Sequence, residues 1–230
     1  MAKTVWITGA SSGIGREFAR RYAAMGCRLI LTARRADRLT ALAEELNAAH
    51  GTVCRILPAD LADRADCDRL CAELAGERID IFINNAGFGV CGSLLETDPA
   101  KEEEMVQVNV AAMRRLFQFM LRRMQAQGGG TILNVASSAG LLPGGPYMAG
   151  YYGSKPGSCR ARRKRRQCGQ KHRTQHGDVF FHSSSSISRY YDIVYHIFIP
   201  LKRETLSSTP GAPAAAADRA GQPPVQRAAG

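Results

Sequence analysis

The chain has 230 residues, 45% of them hydrophobic, which suits one large α/β domain or two small ones. No apolar run approaches the roughly 20 residues of a membrane-spanning helix, and no secretory pattern opens the chain, so we expect a cytoplasmic protein without membrane contact. The seven cysteines are scattered without a Cys-x-x-Cys pair. Neither a disulfide framework nor a metal site is therefore predicted.

The net charge of +11 is unevenly distributed along the chain. Residues 1–155 hold 18 Lys and Arg against 16 Asp and Glu, whereas residues 156–230 hold 13 against 4. The basic excess therefore belongs to the second segment, and the first segment has the balance of an ordinary globular domain.

A glycine-rich turn lies between an apolar strand at residues 5–7 and an amphipathic helix. Gly9 permits a sharp turn, Gly13 permits close approach of a pyrophosphate, and Gly15 lets the helix pack against the strand. The amides of the first helical turn then face the anion. The predicted phosphate-binding residues are Gly9, Ser11, Ser12, Gly13, Ile14 and Gly15.

A second strand is predicted at residues 28–33 and a helix at 38–49. Arg34 and Arg35 lie between them, where a Rossmann-like unit meets the adenosine ribose. An acid at this point would bind the 2′-hydroxyl, whereas an arginine suits a 2′-phosphate. NADP(H) is therefore favoured over NAD(H), and two solvated surface arginines are the alternative interpretation.

The next two predicted strands, at residues 53–58 and 79–83, both end in polar motifs. Asp60-Leu61 follows the first of these strands, and Asp60 could serve as the N-cap of the next helix. Asn84-Asn85-Ala86-Gly87 follows the second. Further on, apolar residues at helical spacing from 105 to 120 surround Asn109, a residue with poor helix propensity.

A fifth predicted strand at residues 131–136 delivers Ser137 and Ser138 to its carboxyl end, where ligands bind in open α/β sheets. Tyr151 and Lys155 then follow, four residues apart and so on one helix face. An ammonium near the phenol lowers the phenol's pKa from about 10 toward working pH. Tyr151 thereby becomes a candidate general acid and base.

Together these motifs resemble the short-chain dehydrogenase/reductase family over residues 1–155. The resemblance rests on the Gly-x-x-x-Gly-x-Gly spacing from Gly9, on Asn-Asn-Ala-Gly, and on Tyr151 with Lys155. It implies an α/β fold with a Rossmann-like, doubly wound parallel sheet. It also implies an NAD(P)-dependent oxidoreductase that interconverts a small-molecule carbonyl and alcohol, and a homo-oligomer.

The resemblance also implies roles for the site residues. Tyr151 gives its proton to the carbonyl oxygen while hydride arrives from the nicotinamide, Lys155 holds the nicotinamide ribose, and Asn109 kinks its helix and holds a proton-relaying water. Ala33 occupies the position of the Asp that is usual in NAD-dependent members. The residues that it assigns to the adenine edge and cofactor flank are Asp60, Leu61, Asn85, Ala86 and Gly87.

The family serine that fixes the carbonyl oxygen has two candidates. The Ser-x-x-Gly pattern selects Ser137, whereas a spacing of thirteen to Tyr151 selects Ser138. We favour Ser137, because strand ends place side chains more strictly than loops do. Tyr152 is the alternative to Tyr151, but its offset from Lys155 does not fit the family pattern.

After Lys155 the resemblance stops. Pro156 and Gly157 oppose helix continuation, and six of the seven residues from Arg160 to Arg166 are basic. The C-terminal part of the sheet is therefore predicted to be missing or replaced, and we interpret the abrupt change as a reading-frame change or aberrant splice. We expect residues 156–230, rich in Ser, Pro and Ala, to be largely disordered, with an improvised strand at 193–199 as an alternative.

Two other functions are compatible with this sequence. A truncated family member could bind the cofactor without catalysing a reaction. Alternatively, the cluster Arg160–Arg166 could bind nucleic acid or another polyanion through phosphates. Nucleic-acid binding is not favoured, because no nucleic-acid-binding fold is recognisable and no tyrosines are interleaved with the cluster.

Overall fold

The structure, a computed structural model, describes residues 2–140, 144–155 and 194–199. Strands and helices alternate through most of this range. They are β1 (Thr4–Thr8), α1 (Gly13–Ala24), β2 (Arg28–Ala33), α2 (Ala36–His50), β3 (Cys54–Pro58), α3 (Arg64–Glu73), β4 (Ile81–Asn84), α4 (Pro99–Val106), α5 (Met113–Ala126), β5 (Gly130–Val135), α6 (Ala149–Ser154) and β6 (Val194–Ile199). The Arg160–Arg166 cluster and the segment 209–230 lie outside the described residues, as does most of the predicted tail.

The strands form one sheet in the order β3-β2-β1-β4-β5-β6. The first five strands are parallel, and the order reverses between β1 and β4, so the prediction of a doubly wound Rossmann-like sheet is confirmed. The sixth strand runs antiparallel to β5, with Val194 opposite Val135 and Ile199 opposite Gly130. The apolar run at 193–199 therefore supplies the improvised strand.

Both faces of the sheet are covered by helices. The side chains of neighbouring residues in a strand point to opposite faces of the sheet, so a continuous apolar run places buried side chains on both faces. On one face, Ile7 and Leu31 pack with apolar residues of α1 and α2. On the other, Trp6 and Phe82 pack with α3 and α5, and the two aromatic rings lie 4.5 Å apart. The two hydrophobic layers fix the strand ends relative to each other.

The start of α3 differs from the sequence-based expectation. Asp63 is the N-cap, and its carboxylate accepts a hydrogen bond of 2.8 Å from the amide of Ala65. Asp60 lies in a preceding turn, where its carboxylate accepts from the amide of Ala62 at 3.0 Å. The prediction that Asp60 caps α3 is therefore wrong, because the chain makes one more turn before the helix begins.

The long helical region around Asn109 is divided by a π-helical segment, Gln107–Ala112, between α4 and α5. Asn84 lies beside this segment, and its side-chain amide donates to the carbonyl of Met113 at 2.9 Å and to Asn134 Oδ1 at 3.1 Å. The π-helical segment lies where the helix was predicted to kink. The hydrogen bonds of the Asn84 side chain connect this helical region to β4 and β5. In the described ranges, no helix is both long enough and apolar enough to cross a bilayer.

We predict that Gly15→Ala lowers the free energy of unfolding by about 1–3 kcal/mol, as overpacking does. A Cβ on Gly15 would collide with the carbonyl oxygen of Gly9 and lie 2.6 Å from Asn85 Nδ2, so α1 would have to move off the sheet. Urea unfolding measures the change. Gly76→Ala is the matched control, because its Cβ would meet nothing within 4 Å. Equal free energies of unfolding for Gly15→Ala and Gly76→Ala would contradict the close packing of α1.

Candidate active and cofactor site

A cleft of about 730 Å³ opens at the carboxyl ends of the parallel strands, over the point where strand order reverses. Ligands of open α/β sheets bind at such points. Of the predicted cofactor residues, those that line the cleft are Gly9, Ser11, Ser12, Gly13, Ile14, Arg34, Arg35, Asp60, Leu61, Asn85, Ala86, Gly87, Tyr151 and Lys155. Gly15 lies beneath the turn, packed against the backbone of Gly9.

The start of α1 presents main-chain amides to the cleft. Gly9 has a φ of 68°, in the left-handed region that glycine adopts without strain. Ser12, the N-cap of α1, makes no side-chain capping hydrogen bond, and the first turn carries no acidic residue. By contrast, Asp63 and Asp98 cap α3 and α4. The amides at the start of α1 can therefore bind an anion.

Thr8 joins the two turns that flank the reversal in strand order. Its hydroxyl oxygen accepts from the amides of Asn85 at 3.0 Å and Ala86 at 3.1 Å and donates to the carbonyl of Ile83 at 3.4 Å. The Asn85 side chain returns a 2.9 Å hydrogen bond to the Thr8 carbonyl. Sequence reasoning missed this role, although a threonine that ends an apolar strand directly before Gly9 is a usable signal.

Two arginines lie at the adenosine end that the sequence predicts. Arg34 forms an ion pair with Glu104 of α4 and is 57% exposed. Arg35 Nη2 lies 3.4 Å from the hydroxyl oxygens of both Ser11 and Ser12, which places it over the glycine-rich turn. Arg34 is therefore a paired rather than a merely solvated arginine. The partner Glu104, which sequence reasoning missed, carries a negative charge beside the cleft.

The Asp60-Leu61 loop is held by Asp66. The Asp66 carboxylate accepts from the amide of Asp60 at 2.7 Å and binds the guanidinium of Arg69. Hydrogen bonds from the Asp60 amide and then from Arg69 lower the pKa of Asp66, which keeps it ionised. With Leu61 buried, the loop has a fixed position at the cleft wall.

At the opposite end, Lys155 Nζ lies 5.1 Å from the centroid of the Tyr151 ring. Helix α6 ends at Ser154, directly before Lys155 and Pro156, yet Lys155 keeps helical backbone angles of −83° and −25°. Both side chains therefore line the cleft. A Cβ on Gly87 would lie only 3.1 Å from Lys155 Nζ, so a side chain at that position would compete with the ammonium for space.

Asn109 lies behind this end of the cleft and is buried. Its Oδ1 accepts from the amide of Phe88 at 3.1 Å, and its Nδ2 donates to the Phe88 carbonyl at 2.8 Å and to Ser154 Oγ at 3.0 Å. Ser154 Oγ in turn donates to the carbonyl of Tyr151 at 2.8 Å. The side chain of Asn109 thus connects the π segment to the loop after β4 and to α6.

Ser154 was not found by sequence reasoning. Its signal is its place in the turn between Tyr151 and Lys155, where a small hydroxyl side chain on the inner face can bind within its own helix. The buried hydroxyl links the backbone of Tyr151 to Asn109.

The two candidate serines follow β5. Ser137 is buried, and its Oγ accepts from the amide of Ala139 at 3.2 Å. Ser138 is half-buried and begins a short 3₁₀ turn, Ser138–Gly140. The adjoining cleft wall is formed by Val135 and Ala136. Ser137 and Ser138 both follow the end of β5, but neither is among the residues that line the cleft. The role of either serine stays a prediction.

The charges around the cleft favour an anionic ligand. Among the described residues, Arg34, Arg35 and Lys155 line it, together with one carboxylate, that of Asp60. Across residues 2–140, 144–155 and 194–199, no group of three or more His, Cys, Asp or Glu side chains could hold a metal ion.

Comparison with known proteins identifies a family. The family model for short chain dehydrogenase matches residues 3–173, which extends beyond residue 155. Galactitol 2-dehydrogenase (L-tagatose-forming) of Cereibacter sphaeroides is 37% identical over 153 residues, or 66% of this chain and 59% of that protein. A very-long-chain 3-oxoacyl-CoA reductase of Podospora anserina is 35% identical over 160 residues, or 66% of this chain and 47% of that protein.

Solved structures give the same result. The short-chain dehydrogenase from Sphingobium yanoikuyae in complex with NADPH has 37% sequence identity and a TM-score of 0.64, covering 68% of this chain and 61% of that one. This chain thus spans about half to three fifths of the length of these relatives. Since the family model covers most of its residues, the chain belongs to the short-chain dehydrogenase family.

Proposed function

We propose that this chain binds NADP(H) in the cleft and interconverts a carbonyl and an alcohol on a small-molecule substrate. The observation that carries the proposal is that the glycine-rich turn, the arginines after β2, and Tyr151 with Lys155 all line one cleft. The Sphingobium yanoikuyae relative was solved with NADPH, which supports this choice of cofactor.

Several described residues support the proposed binding of a dinucleotide in this cleft. The uncapped start of α1 suits the pyrophosphate. The absence of side chains at Gly9 and Gly87 leaves room for Asn85 at one end of the cleft and for Asn109 and Lys155 at the other. A Cβ on Gly9 would lie 2.8 Å from Asn85 Nδ2. When bound, NADPH supplies the hydride for the carbonyl carbon.

The preference for NADP(H) over NAD(H) rests on the residues that follow β2. Ala33 ends that strand and supplies no carboxylate for a ribose 2′-hydroxyl. Arg34 and Arg35 line the cleft directly after it. Guanidinium groups bind phosphate oxygens through paired N–H donors, so a 2′-phosphate is the better match.

In the proposed reduction, Tyr151 donates its phenolic proton to the substrate oxygen as the carbonyl becomes an alcohol. The ammonium of Lys155 favours the phenolate that remains and binds the nicotinamide ribose. The hydrogen bonds of Ser154 to Asn109 and to the Tyr151 carbonyl keep α6 against the π segment, although this helix has only six residues.

Ser137 is proposed to donate a hydrogen bond to the same substrate oxygen. Its Oγ already accepts from the amide of Ala139, so its hydroxyl hydrogen can turn toward another acceptor. Ser138, half-buried in the next turn, is the alternative. The names of the relatives point to different substrates, a sugar alcohol in one and an acyl-CoA in another, so no single substrate is proposed.

We predict that Arg34→Ala weakens NADPH binding about 10- to 100-fold, the usual cost of a lost hydrogen bond to a charged group. NADH binding should change little, because it lacks the 2′-phosphate. Fluorescence titration of each reduced nucleotide measures both. Arg38→Ala is the matched control, since Arg38 is exposed on α2 outside the cleft lining. Equal NADPH affinities in the two variants would refute the role of Arg34.

We predict that Tyr151→Phe lowers NADPH-dependent carbonyl reduction about 10²- to 10⁴-fold and leaves NADPH binding nearly unchanged, because only the proton donor is removed. A panel of ketones and aldehydes, followed at the NADPH absorbance, measures the rate. Tyr152→Phe is the control and should retain activity. If the unaltered chain binds NADPH yet reduces no member of the panel, the cofactor-binding inactive alternative replaces this proposal.

We predict that Ser137→Ala slows reduction at least as much as one lost oxyanion donor does, about 10²-fold, while Ser138→Ala retains most activity. Steady-state rates of the two variants on the same substrate decide between the serines. The reverse order of rates would assign the role to Ser138.

A further inference from the structure

We propose that Glu104 weakens the preference of the cleft for NADP(H), because its carboxylate competes with the 2′-phosphate for Arg34. This inference rests on the proposed binding of NADP(H). Glu104 belongs to α4, seventy positions after Arg34 in the chain, so their ion pair bridges the two halves of the sheet at the adenosine end.

The Glu104 carboxylate is held at both oxygens. Its Oε1 binds Arg34, and its Oε2 accepts from Lys101 Nζ at 2.8 Å. The side chain of Glu104 is only 17% exposed, whereas that of Arg34 is 57% exposed. The carboxylate is thus the fixed partner, and the guanidinium is the one that a ligand in the cleft can reach.

Glu104 is ionised at neutral pH. Its hydrogen bond from Lys101, and then that from Arg34, lower the pKa of its carboxyl group. A 2′-phosphate that reaches Arg34 must share or displace this anion and remain near its charge. The ribose 2′-hydroxyl of NAD(H) is neutral and meets no such repulsion.

The consequence is a selective penalty on the phosphorylated cofactor. Arg34 attracts the 2′-phosphate, and Glu104 reduces that attraction without affecting the pyrophosphate site over α1. Arg35, which lies near Ser11 and Ser12, does not pair with Glu104 in the described contacts and keeps its charge available. The chain should therefore discriminate between the two cofactors less strongly than its two arginines alone would allow.

The test is Glu104→Gln, which removes the charge and keeps the shape. We expect NADPH affinity to rise about two- to fivefold at low salt, the range of one partly exposed charge interaction, with NADH affinity unchanged. Fluorescence titration of the full chain with each nucleotide measures both. Glu104→Ala should shift NADPH affinity in the same direction, and urea unfolding checks that each variant is folded.

Two controls separate competition from a general charge effect. Glu103→Gln makes the same charge change on the same helix, at an exposed residue that forms no ion pair within the described part of the chain, and should leave NADPH affinity unchanged. In an Arg34→Ala background, Glu104→Gln should raise NADPH affinity less than it does in the otherwise unaltered chain, because only the direct repulsion between carboxylate and phosphate remains. An equal or larger effect in that background, equal effects of Glu103→Gln and Glu104→Gln, or weaker NADPH binding by Glu104→Gln would each overturn the inference.

Failure of the proposed function gives a different result. An unaltered chain that binds neither NADPH nor NADH would overturn the proposed function and this inference together. Binding by the unaltered chain with no response to Glu104→Gln would overturn the inference alone.

Discussion

The site depends on the hydrogen bonds of one buried hydroxyl, that of Thr8. It accepts from two successive amides of the turn after β4 and so fixes that turn to the glycine-rich turn after β1. Parallel strands on either side of a reversal in strand order diverge in their connections. The Asn85 side chain reinforces the link between the two turns by donating to the Thr8 carbonyl. The hydrogen bonds of Thr8 thus hold the two turns together at the base of the cleft.

The end of the cleft that holds Tyr151 and Lys155 is organised by a second buried polar group, the side chain of Asn109. Helix α6 is too short to be stable by its own hydrogen bonds, so its position depends on tertiary contacts. Asn109 supplies one of these through Ser154 and also holds the backbone of Phe88. A π segment in the middle of a long helix is what brings the Asn109 side chain within reach of both.

Local patterns predicted much of this arrangement. Apolar runs located the five parallel strands, and the glycine spacing located the turn that packs Gly15 against Gly9, because each signal is contained within a few residues. The misplaced cap at Asp60 and the unforeseen partners Glu104 and Ser154 have a different origin. The roles of Glu104 and Ser154 depend on partners that are distant in the chain. The position of the cap depends on where the turn after Asp60 ends. Neither property is contained in a short stretch of sequence.

The direction of β6 determines which end of this strand lies at the cleft. Because β6 is antiparallel to β5, its first residue, Val194, lies opposite Val135 at the cleft, and its last, Ile199, lies at the far end of the sheet. A parallel sixth strand would bring its last residue, Ile199, to the cleft. The antiparallel strand brings its first residue there instead, so β6 runs away from the cleft, whereas the five parallel strands run toward it.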